Sequence, residues 1–400
     1  MYILTINSGS TSIKFKLYEM PAEKVIADGR IENIGFEKSV IKYKSALFSE
    51  KSEDIYIKNH KSGLDHILAR LTDLKKGVIK NRKEINAVGH RIVNVGDRVS
   101  SHRIIDGKFL DVLRDCIDLA PLHNPPNLMG VEVCFEVFGK DTQNIGIFDN
   151  IFHINIPPKA YLYGINYNYY EKYRIRKYGF HGIAYTYMIE KCAELTGKDI
   201  KEQKIIALML GGGSSAAAVR NGTSIDTSMG FTPAEGLIMS TRCGDIDPAA
   251  LSYILNREGF TPGDLDDFIN RKSGVLGLSG KYSDFINIEL GYLKNDPGCV
   301  RALDCYCYRV KKYIGAYAAA MNGVDVIIFG GGVGENSPLI REMILSDMDY
   351  LGVSLDKNLN NDRSIKEGII SPEDSKVAIC IAKVDEELIM ARETYRLVKI

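Results

Sequence analysis

A strand, a stretch of small residues and a second strand occur twice in this chain, about half a chain apart. In the first copy, the apolar run at residues 2–6 leads into a small-residue loop at residues 7–12, and apolar and polar residues then alternate. In the second copy, the apolar run at residues 205–210 leads into three glycines and a further strand, which ends at an Asn-Gly hairpin signal. Alternation with a period of two is typical of a half-buried strand. The pattern predicts a chain that repeats one structural unit.

A third glycine-rich segment lies in a different setting. Apolar side chains at spacings of three and four predict a helix over residues 300–321, and an apolar strand is predicted at residues 324–329. Five residues, Gly-Gly-Gly-Val-Gly, follow at 330–334, and residues 335–338 can open another helix. We therefore expect a glycine loop between a strand and a helix, where the backbone can approach a ligand closely.

Small-residue loops of this kind suit phosphate groups, because backbone N–H groups and hydroxyls converge there without bulky side chains. A single loop is equally well explained as an ordinary β-turn. Three of them, two at equivalent positions of a repeat, favour a nucleotide or phosphate site. The chain contains neither the Walker A pattern nor the dinucleotide fingerprint, which disfavours a P-loop enzyme and a Rossmann dehydrogenase.

Composition excludes several other classes. A length of 400 residues suits two domains, and the 51 basic and 51 acidic side chains cancel, which argues against nucleic-acid binding by charge. No apolar run approaches the ~20 residues of a membrane span, and the N-terminus does not resemble a signal peptide. The eight Cys form no C-x-x-C pair and the seven His no H-E-x-x-H pattern, which indicates reduced thiols and no zinc site. We expect a cytoplasmic protein without nucleic-acid or membrane partners.

Four polar side chains stand out between the glycine loops: Arg91, Asp149, His181 and Arg242. Arg91 and Asp149 each follow a short apolar run, and His181 is bracketed by glycines. Each of them alone is more often structural than catalytic. Together they provide two cations, a carboxylate and a hydrogen-bond donor, which are the groups that phosphoryl transfer requires.

Ten motifs along the chain resemble the acetate kinase family. They occur in that family's order from residue 7 to residue 394, and they read N-S-G-S-T-S-I-K, G-H-R-I-V, A-P-L-H-N-P-P-N-L, F-D-N-I-F-H, Y-G-F-H-G, S-M-G-F-T-P-A-E-G-L, T-R-C-G-D-I-D-P, S-G-V-L-G-L-S-G, G-G-G-V-G-E-N-S and E-E-L-I-M-A-R-E-T. The resemblance implies an α/β fold duplicated as in actin, sugar kinases and the heat-shock chaperone ATPase. Each of its two domains would be a mixed sheet flanked by helices, with a cleft between the domains.

The resemblance also implies domain limits and an activity. Residues 1–150, completed by a C-terminal helix at 387–400, would form the N-terminal domain, and residues 151–386 the larger domain with the nucleotide pocket and a homodimer interface. The implied reaction is reversible, in-line phosphoryl transfer from ATP to acetate with Mg²⁺, or alternatively Mn²⁺, giving acetyl phosphate and ADP. A kinase preferring propionate or butyrate and a catalytically impaired nucleotide-binding paralogue remain as alternatives. Pyrophosphate is the alternative phosphate donor.

Position by position, the resemblance implies four sets of roles. The phosphoryl-transfer residues would be Arg91, Asp149, His181 and Arg242. The pocket for the methyl group would comprise Val93, Leu122, Phe180 and Pro233, a tight set that favours acetate over propionate and disfavours butyrate. The nucleotide would contact Ser10, Ser12, Lys14, Gly211, Gly212, Gly213, Ser283, Asp284, Phe285, Gly331, Gly332 and Asn336. The metal would be bound by Asn7 and Glu386, with Glu387 as the alternative register.

The sequence departs from the family pattern at supporting positions. Met209 and Gly212 stand where the family has His and Asn in H-L-G-N-G-S-S, and Tyr185 stands at the second His of G-F-H-G-T-S-H. An Arg expected after Asp-Phe is Ile286, and the V-V-H-G-G expected after Arg91 is I-V-N-V-G. Because each lost hydrogen bond to a charged group is worth ~1.5–3 kcal/mol, we expect weaker ATP binding and a looser choice of base.

Overall fold

Two units, each built around one mixed sheet, are present in the computed structural model, which describes residues 1–121, 123–139 and 142–398, without the side chains of residues 50 and 51. Unit 1 comprises the described parts of Met1–Ile151 and Asp385–Ile400, and unit 2 comprises Phe152–Val384. Among the helices of the described chain, none combines the length and the apolar character that crossing a membrane requires.

Unit 1 is centred on an eight-stranded sheet. Its strands are β1 (Tyr2–Gly9), β2 (Ser12–Glu19), β3 (Lys24–Glu32), β4 (Ser39–Ser45), β5 (Phe48–Ile55), β6 (Ile85–Ile92), β7 (Arg103–Ile104) and β8 (Gln143–Phe148). In space they follow the order β5-β4-β3-β2-β1-β6-β8-β7. β1, β6 and β8 run parallel to one another, whereas β1 to β5 form antiparallel pairs.

Helices cover both faces of this sheet. They are α1 (His60–Leu71), α2 (Gly107–Asp115), α3 (Asn124–Phe138) and α15 (Glu386–Val398). The alternation in β2 places Phe15 and Leu17 in a core with Leu64 of α1, while Tyr18 packs with Ala391 of α15. Because successive residues of a strand point to opposite faces, α1 and α15 lie on opposite sides of the sheet.

Unit 2 repeats the arrangement with a six-stranded sheet. Its strands are β9 (Lys204–Leu210), β10 (Ser214–Arg220), β11 (Thr223–Thr227), β12 (Val326–Gly330), β13 (Gly368–Ile369) and β14 (Ala378–Ile381), in the spatial order β11-β10-β9-β12-β14-β13. β9, β12 and β14 are parallel, and β10 is antiparallel to β9 and β11. Asn221 and Gly222, both with positive φ, form the predicted hairpin turn between β10 and β11.

The helices of unit 2 are α4 (Pro158–Tyr161), α5 (Asn168–Tyr173), α6 (Gly182–Thr196), α7 (Pro248–Glu258), α8 (Pro262–Arg271), α9 (Gly274–Ser279), α10 (Phe285–Leu293), α11 (Pro297–Met321), α12 (Gly331–Asn336), α13 (Pro338–Leu345) and α14 (Lys357–Asn361). α11 packs its apolar stripe against one face of the sheet, with Val310 and Ile314 beside Leu208. α6 packs against the other face, where Met188 meets Ala207.

The two sheets share one core order. In each, three antiparallel strands are followed by two strands parallel to the third, as β3-β2-β1-β6-β8 in unit 1 and β11-β10-β9-β12-β14 in unit 2. Unit 1 adds β4 and β5 at the outer edge. The duplicated α/β fold with two mixed sheets that the sequence predicted is confirmed.

Two of the three predicted glycine loops have different limits in the structure. The first is shorter than residues 7–12, because β1 and β2 stay paired up to Gly9 and Ser12, which leaves a turn of two residues. The third is not a loop, because residues 331–336 coil directly into α12 after β12. The Glu335 carboxylate accepts the Gly331 N–H at 3.0 Å and holds this first turn closed.

Candidate active site

The predicted residues of unit 1 gather at the carboxyl ends of its parallel strands. Asn7 lies near the end of β1, Arg91 near the end of β6, and Asp149 directly after β8. Strand pairing brings them together, because Ile6 is in register with His90 and Arg91 with Ile147. The carboxyl edge of a parallel sheet is the usual position of ligand sites in α/β folds.

Arg91, Asp149 and Glu386 form an arginine–carboxylate cluster. Arg91 Nε and Nη2 donate to Asp149 Oδ2 at 3.0 and 2.8 Å, and Nη1 donates to Glu386 Oε2 at 3.2 Å. Asp149 is only 1% exposed, and its second oxygen, Oδ1, is buried without a hydrogen-bond partner among the described residues. The cluster therefore offers one unused carboxylate oxygen at the sheet edge.

Burial and neighbouring charges together set the pKa values of the groups in this cluster. Burial raises the pKa of Asp149 to about 6, although the Arg91 charge opposes the shift. Burial also acts to lower the pKa of Arg91, but the charges of Asp149 and Glu386 outweigh it and raise that pKa, so the guanidinium stays protonated. A buried arginine held by two carboxylates is well fixed in position.

The two adjacent glutamates at the start of α15 have different partners. Glu386 contacts Arg91, whereas Glu387 Oε2 lies 3.5 Å from Lys16 Nζ, which also donates to Asp385 Oδ1 at 2.9 Å. Only Glu386 joins the arginine–carboxylate cluster. Lys16 was not among the predicted site residues, and its alternation with buried residues of β2 gave no signal of this contact.

The remaining predicted residues of unit 1 are more dispersed. Ser10 is exposed at the turn, and Ser12 opens β2. Lys14 lies inside β2 opposite Asn7 with an exposed side chain, so it belongs to the strand and not to the turn. Val93 is half-buried and donates its N–H to Asn127 Oδ1 at 3.1 Å. Leu122 lies outside the described residues.

In unit 2, His181 is held by a chain of hydrogen bonds. It precedes α6 in the left-handed region with φ of 59°, and its Nδ1 lies 2.8 Å from Ser215 Oγ. Ser215 Oγ lies 2.5 Å from the hydroxyl of Tyr185, and both Ser215 and Tyr185 are fully buried. Burial raises the pKa of Tyr185, so it remains a neutral phenol. This series of hydrogen bonds fixes the His181 imidazole ring in one orientation.

The second glycine loop, which connects β9 and β10, lies beside His181 and Arg242. A Cβ atom at Gly213 would lie 3.5 Å from Arg242 Nη1 and 3.8 Å from His181 Nε2, so an imidazole and a guanidinium border one backbone without side chains. Gly331 has φ of 77°, and a Cβ there would meet Leu210 O at 2.6 Å. We call Gly213, His181 and Arg242, with the Ser215 and Tyr185 support, the glycine–histidine cluster.

Arg242 differs from Arg91 in its surroundings. Its Nη1 contacts Met239 Sδ at 3.7 Å, and within the described chain it forms no ion pair with a carboxylate. Burial lowers its pKa. Its loop is anchored by Asp245, whose carboxylate accepts the Gly236 N–H at 2.8 Å. A fixed cation without an anionic neighbour is suited to an anionic ligand.

The predicted nucleoside residues split into exposed and buried sets. A Cβ atom at Gly332 would meet no described atom within 4 Å apart from its chain neighbours and its own helix backbone, and the Gly332 carbonyl accepts the Asn336 amide at 3.0 Å. Asp284 caps α10 by accepting the Asn287 N–H at 2.8 Å. Phe285 is buried against Tyr306, with ring centroids 4.6 Å apart, so its ring belongs to the core and offers no surface for a base.

Three further predicted site residues of unit 2 are partly or fully buried. Ser283 is half-buried before α10, and Pro233 is half-buried before Glu235. Phe180 is only 2% exposed, and its carbonyl accepts a hydrogen bond from His153 Nε2 at 3.0 Å, so its ring offers little surface to a substrate.

Ser215 is the supporting residue that sequence reasoning missed as a site residue. It follows Ser214, the residue directly after the three glycines, and a hydroxyl at the end of a phosphate-type loop was the available signal. Glu335 was also missed, although it accepts both the Gly331 and Val384 N–H groups at 3.0 and 3.1 Å. Burial raises the pKa of Glu335.

Oxygen donors suited to a hard cation occur in the arginine–carboxylate cluster. Among the described residues, no group of three or more His, Cys, Asp or Glu is arranged to hold a metal ion by itself. The unpartnered Asp149 Oδ1 is nevertheless the kind of ligand that Mg²⁺ prefers, and Mg²⁺ commonly takes one or two carboxylates plus substrate phosphates and waters. The residues therefore fit a metal that arrives with a phosphate ligand.

Comparisons with known proteins cover the whole chain. A sequence profile described as the Acetokinase family matches residues 2–392. The chain is 48% identical to an acetate kinase of Thermotoga maritima over 402 residues, covering 100% of this chain and 99% of the relative. It is 47% identical to an acetate kinase of Carboxydothermus hydrogenoformans over 399 residues, with the same coverage.

Solved structures agree with these relatives. The crystal structure of Porphyromonas gingivalis acetate kinase superposes with a TM-score of 0.94 at 39% identity, covering 99% of each chain. A propionate kinase from Francisella tularensis superposes with a TM-score of 0.92 at 32% identity, again over 99% of each chain. The resemblance read from the motifs is confirmed.

Proposed function

The chain belongs to the acetokinase family, and from that premise we propose that it transfers the γ-phosphoryl group of ATP to acetate, reversibly giving acetyl phosphate and ADP. The observation that carries the proposal is the glycine–histidine cluster, where His181 and Arg242 both border the backbone of Gly213. Within the described chain, Arg242 forms no ion pair with a carboxylate. A cation, an N–H donor and a side-chain-free backbone are the groups that bind a phosphoryl group.

Direct transfer is the mechanism that these groups support. The transition state spreads charge over the equatorial oxygens, so catalysis consists mainly of positioning and electrostatic stabilisation. Ser215 is the hydroxyl next to His181, but it is fully buried and already engaged with Tyr185, which argues against a phosphoserine intermediate. Inversion at a chiral phosphorus is the expected stereochemical result, and retention would contradict direct transfer.

His181 is proposed to donate a hydrogen bond to the transferring group. If Ser215 Oγ donates to Nδ1, the ring proton lies on Nε2, the nitrogen nearer to Gly213. The hydrogen bond at one nitrogen selects the tautomer at the other. Ser215 would thereby leave the Nε2 proton of His181 available for donation.

The arginine–carboxylate cluster is proposed to order the carboxylate substrate and the metal. Arg91 would bind the transferring phosphoryl group, and Asn7, Asp149 and Glu386 would hold Mg²⁺ with the help of substrate phosphates and water. The metal, when bound, neutralises phosphate charge. The unpartnered Asp149 Oδ1 supports this assignment.

ATP is the proposed nucleotide, bound by exposed groups of unit 2. Gly331, Gly332 and Asn336 of α12 would approach the nucleoside, and residues 211–213 the phosphates. Ser283 and Asp284 remain proposed contacts before α10. Ser10, Ser12 and Lys14 remain proposed phosphate contacts from unit 1, with Lys14 acting from within β2.

Acetate is the proposed acid, and propionate is the second candidate. The similarity to a propionate kinase of Francisella tularensis favours keeping propionate in view. Val93 and Pro233 are the half-buried members of the proposed methyl pocket. A longer acid would gain ~0.8 kcal/mol for each methylene that it buries, so only a tight pocket keeps acetate ahead.

We also propose a homodimer formed through unit 2. Tyr167, Tyr169 and Tyr173 are exposed together around α5, and exposed tyrosines are enriched in protein interfaces. A sedimentation mass of about twice 44.5 kDa is expected, and a monomer mass at working concentration would contradict the proposal. A cytoplasmic location is part of the proposal, since all eight cysteines are free thiols.

One steady-state experiment tests the proposed function. Acetate, propionate and butyrate are compared as acceptors with ATP and Mg²⁺, and ADP, GDP and inorganic phosphate are compared as acceptors from acetyl phosphate. The expected order of kcat/KM is acetate, then propionate, then butyrate, with ADP required in the reverse direction. Turnover with phosphate but not ADP would refute the nucleotide assignment, and no turnover with any acid would indicate an impaired paralogue.

A further inference from the structure

A cavity of about 620 Å³ opens in unit 2 beside the loop that carries Arg242. We call residues 239–245 the Arg242 loop and this space the lateral cavity. Its wall is formed by Cys243 of that loop, by residues of α8 and α9, and by residues of α11. The volume lies within the range typical of small-molecule sites. None of the residues proposed for ATP, acetate or metal lines it, so the proposed function leaves this cavity unexplained.

Most of the lateral cavity is apolar. Ile238, Phe268, Leu278 and the ring of Tyr308 form its apolar wall, and the free thiols of Cys243 and Cys305 face the same space. An apolar wall of this size favours an organic ligand over an inorganic ion, because each methylene buried from water contributes ~0.8 kcal/mol.

The polar groups along the wall are cationic. Lys272, Arg309 and Lys312 line the lateral cavity, and no Asp or Glu does so among the residues that the structure describes. Arg309 and Lys272 are paired with carboxylates, Asp245 at 3.6 Å and Asp267 at 2.7 Å. Lys312 has no such partner in the described chain, and its Nζ lies 5.9 Å from the centre of the Tyr308 ring. Charge complementarity therefore points to an anionic head group near Lys312.

The wall of the lateral cavity is also the support of the Arg242 loop. The Ser273 N–H donates to Thr241 O at 3.0 Å, and the Val275 N–H donates to Met239 O at 2.8 Å. Gly274, between them, has φ of 65°, and a Cβ atom there would meet Met239 O at 2.3 Å. The start of α9 and the Arg242 loop are therefore packed and hydrogen-bonded as one layer.

Arg309 supports the loop from the opposite wall. Its Nη1 donates to Gly236 O at 2.9 Å and its Nη2 to Asp245 O at 3.2 Å. A ligand that displaced Arg309 or α9 would therefore move the backbone on one or both sides of Arg242. A misplacement of about 1 Å in a residue that positions the reacting group can cost ~10²-fold in rate.

We propose that the lateral cavity binds a small organic monoanion with an apolar body of about six to ten carbons, and that its occupancy lowers kcat through the Arg242 loop. Binding does not depend on the proposed kinase activity, whereas the effect on kcat rests on it. Lys312 pairs with the anionic head, and Ile238, Leu278 and Phe268 contact the apolar body. Such a ligand regulates turnover without competing for either substrate.

The probe is 1-octanesulfonate, whose sulfonate cannot be converted into an acyl phosphate. Calorimetric titration of the full chain is expected to show saturable binding that persists with saturating ADP and acetate. Lys312→Glu should weaken binding by at least about ten-fold, equivalent to ~1.4 kcal/mol, because it reverses the charge that faces the head group. Leu278→Trp should abolish binding by filling the apolar wall. Lys198→Glu, at an exposed lysine elsewhere in unit 2, is the matched control and should bind as the wild type does.

Two further measurements locate the ligand and test the coupling. Bound octanesulfonate should slow the alkylation of Cys305, a half-exposed thiol on the cavity wall, as followed by peptide mass spectrometry. At saturation it should lower kcat several-fold in the wild type and in Lys198→Glu, but not in Lys312→Glu or Leu278→Trp. Basal kcat should be the same in the wild type, Lys198→Glu and Lys312→Glu, whereas Leu278→Trp is compared only with and without octanesulfonate, because its indole fills the lateral cavity itself.

Several results would overturn the proposal. Equal binding by Lys312→Glu and Leu278→Trp would place the ligand elsewhere, and competition with acetate would place it among the substrate residues. Protection of Cys305 that depends on protein concentration, without ligand, would show that a second copy of the chain covers the cavity. Binding with unchanged kcat would refute the coupling alone. An inactive wild type that still binds the probe would refute the proposed function and leave the binding site standing.

Discussion

Each of the two clusters contains one arginine, Arg91 in the arginine–carboxylate cluster of unit 1 and Arg242 in the glycine–histidine cluster of unit 2. The clusters differ in whether carboxylates balance the charge of that arginine. Arg91 contacts the carboxylates of Asp149 and Glu386, so its charge is already balanced within the fold. Arg242 contacts a thioether and, in the described chain, no carboxylate. The first arginine combines its proposed contact with the phosphoryl group with a place in a buried ion network, whereas the second has its charge unbalanced within the described chain and is preorganised for an incoming anion.

The difference matters because removing a partner has different costs in the two settings. Breaking a buried ion pair leaves an uncompensated charge inside the protein and is strongly destabilising. Removing a half-buried arginine that has no carboxylate partner leaves no charge behind. The two arginines should therefore be separable by stability even if both are required for turnover.

The largest expected effect is that of Arg91→Ala. It should reduce kcat by ~10²–10³, the scale of losing one preorganised donor. It should also destabilise the protein by ~3–5 kcal/mol, because Asp149 would remain buried without its partner. Thermal unfolding and steady-state assays measure the two effects. Arg91→Ala combined with Asp149→Asn should recover much of the stability and none of the activity. Wild-type stability in the Arg91→Ala variant would contradict the proposed difference between the two arginines.

Arg242→Ala is expected to lower activity by a similar factor without the loss of stability. The kcat should fall ~10²–10³-fold, because the transition-state charge loses a fixed cation. The melting temperature should stay close to that of the wild type. Arg257→Ala, which removes an exposed arginine whose guanidinium contacts Tyr253, controls for the loss of a positive charge. Near wild-type turnover in Arg242→Ala would remove Arg242 from the proposed mechanism.

Much of the fold around these clusters followed from periodicity. Spacings of three and four in residues 300–321 predicted a helix, and α11 spans Pro297–Met321, three residues earlier because Asp296 caps it. Alternation predicted β2, and Ile13, Phe15 and Leu17 are buried as expected, whereas Tyr18 is buried as well because it packs against α15. The limits of the glycine segments were less predictable. Whether a glycine run is a loop or a helical turn depends on an anchor such as Glu335, which sequence spacing does not reveal.

The candidate site was predictable in its residue types but not in its contacts. Arg91 and Glu386 are 295 residues apart, and their contact depends on α15 returning to β6. Ser215 and Tyr185 meet because α6 packs against β9 and β10. This contact depends on tertiary packing, which local sequence patterns do not reveal. Phe285 was expected to line the nucleoside pocket as part of residues 283–285, and its ring is packed against Tyr306 of α11.

Tyr185 allows the support behind His181 to be tested separately, since the family pattern has a histidine at position 185. Tyr185→Phe removes the hydroxyl that lies 2.5 Å from Ser215 Oγ, and so loosens the hydrogen-bond chain behind His181. One such hydrogen bond is worth ~0.5–1.5 kcal/mol, which predicts a two- to ten-fold lower kcat with little change in KM. Nitrogen NMR of His181 should show a less strongly populated Nε2-protonated tautomer.

Tyr187→Phe is the matched control for Tyr185→Phe. Tyr187 lies on the same helix, but its hydroxyl donates to Glu367 at 2.8 Å and does not reach Ser215 in the structure. Its kcat and the His181 tautomer should be unchanged. Equal effects of both variants on kcat would indicate a general loosening of α6. If position 185 requires a hydrogen-bonding side chain, Tyr185→His should have most of the activity that Tyr185→Phe loses.

The smallest expected effect concerns Gly212, where the family has an asparagine. Gly212 is exposed, its φ is not in the left-handed region, and the nearest neighbour of an added Cβ would be Ser240 Oγ at 3.7 Å. The backbone therefore accepts a side chain there without strain. A restored amide could donate to a phosphate oxygen of the nucleotide, a contact that the present chain lacks.

Gly212→Asn is accordingly expected to lower the KM for ATP by about two- to ten-fold, because one additional hydrogen bond contributes ~0.5–1.5 kcal/mol. The kcat and the KM for acetate should change little, since the added amide meets the donor and not the acid. Gly212→Ala adds the same Cβ without the amide, so it should leave the KM for ATP at the wild-type value. Initial rates over a range of ATP concentrations, at saturating acetate and Mg²⁺, separate the two variants. If Gly212→Ala tightens ATP binding as much as Gly212→Asn does, the gain comes from a stiffer loop, and the missing amide does not explain how this chain differs from its family.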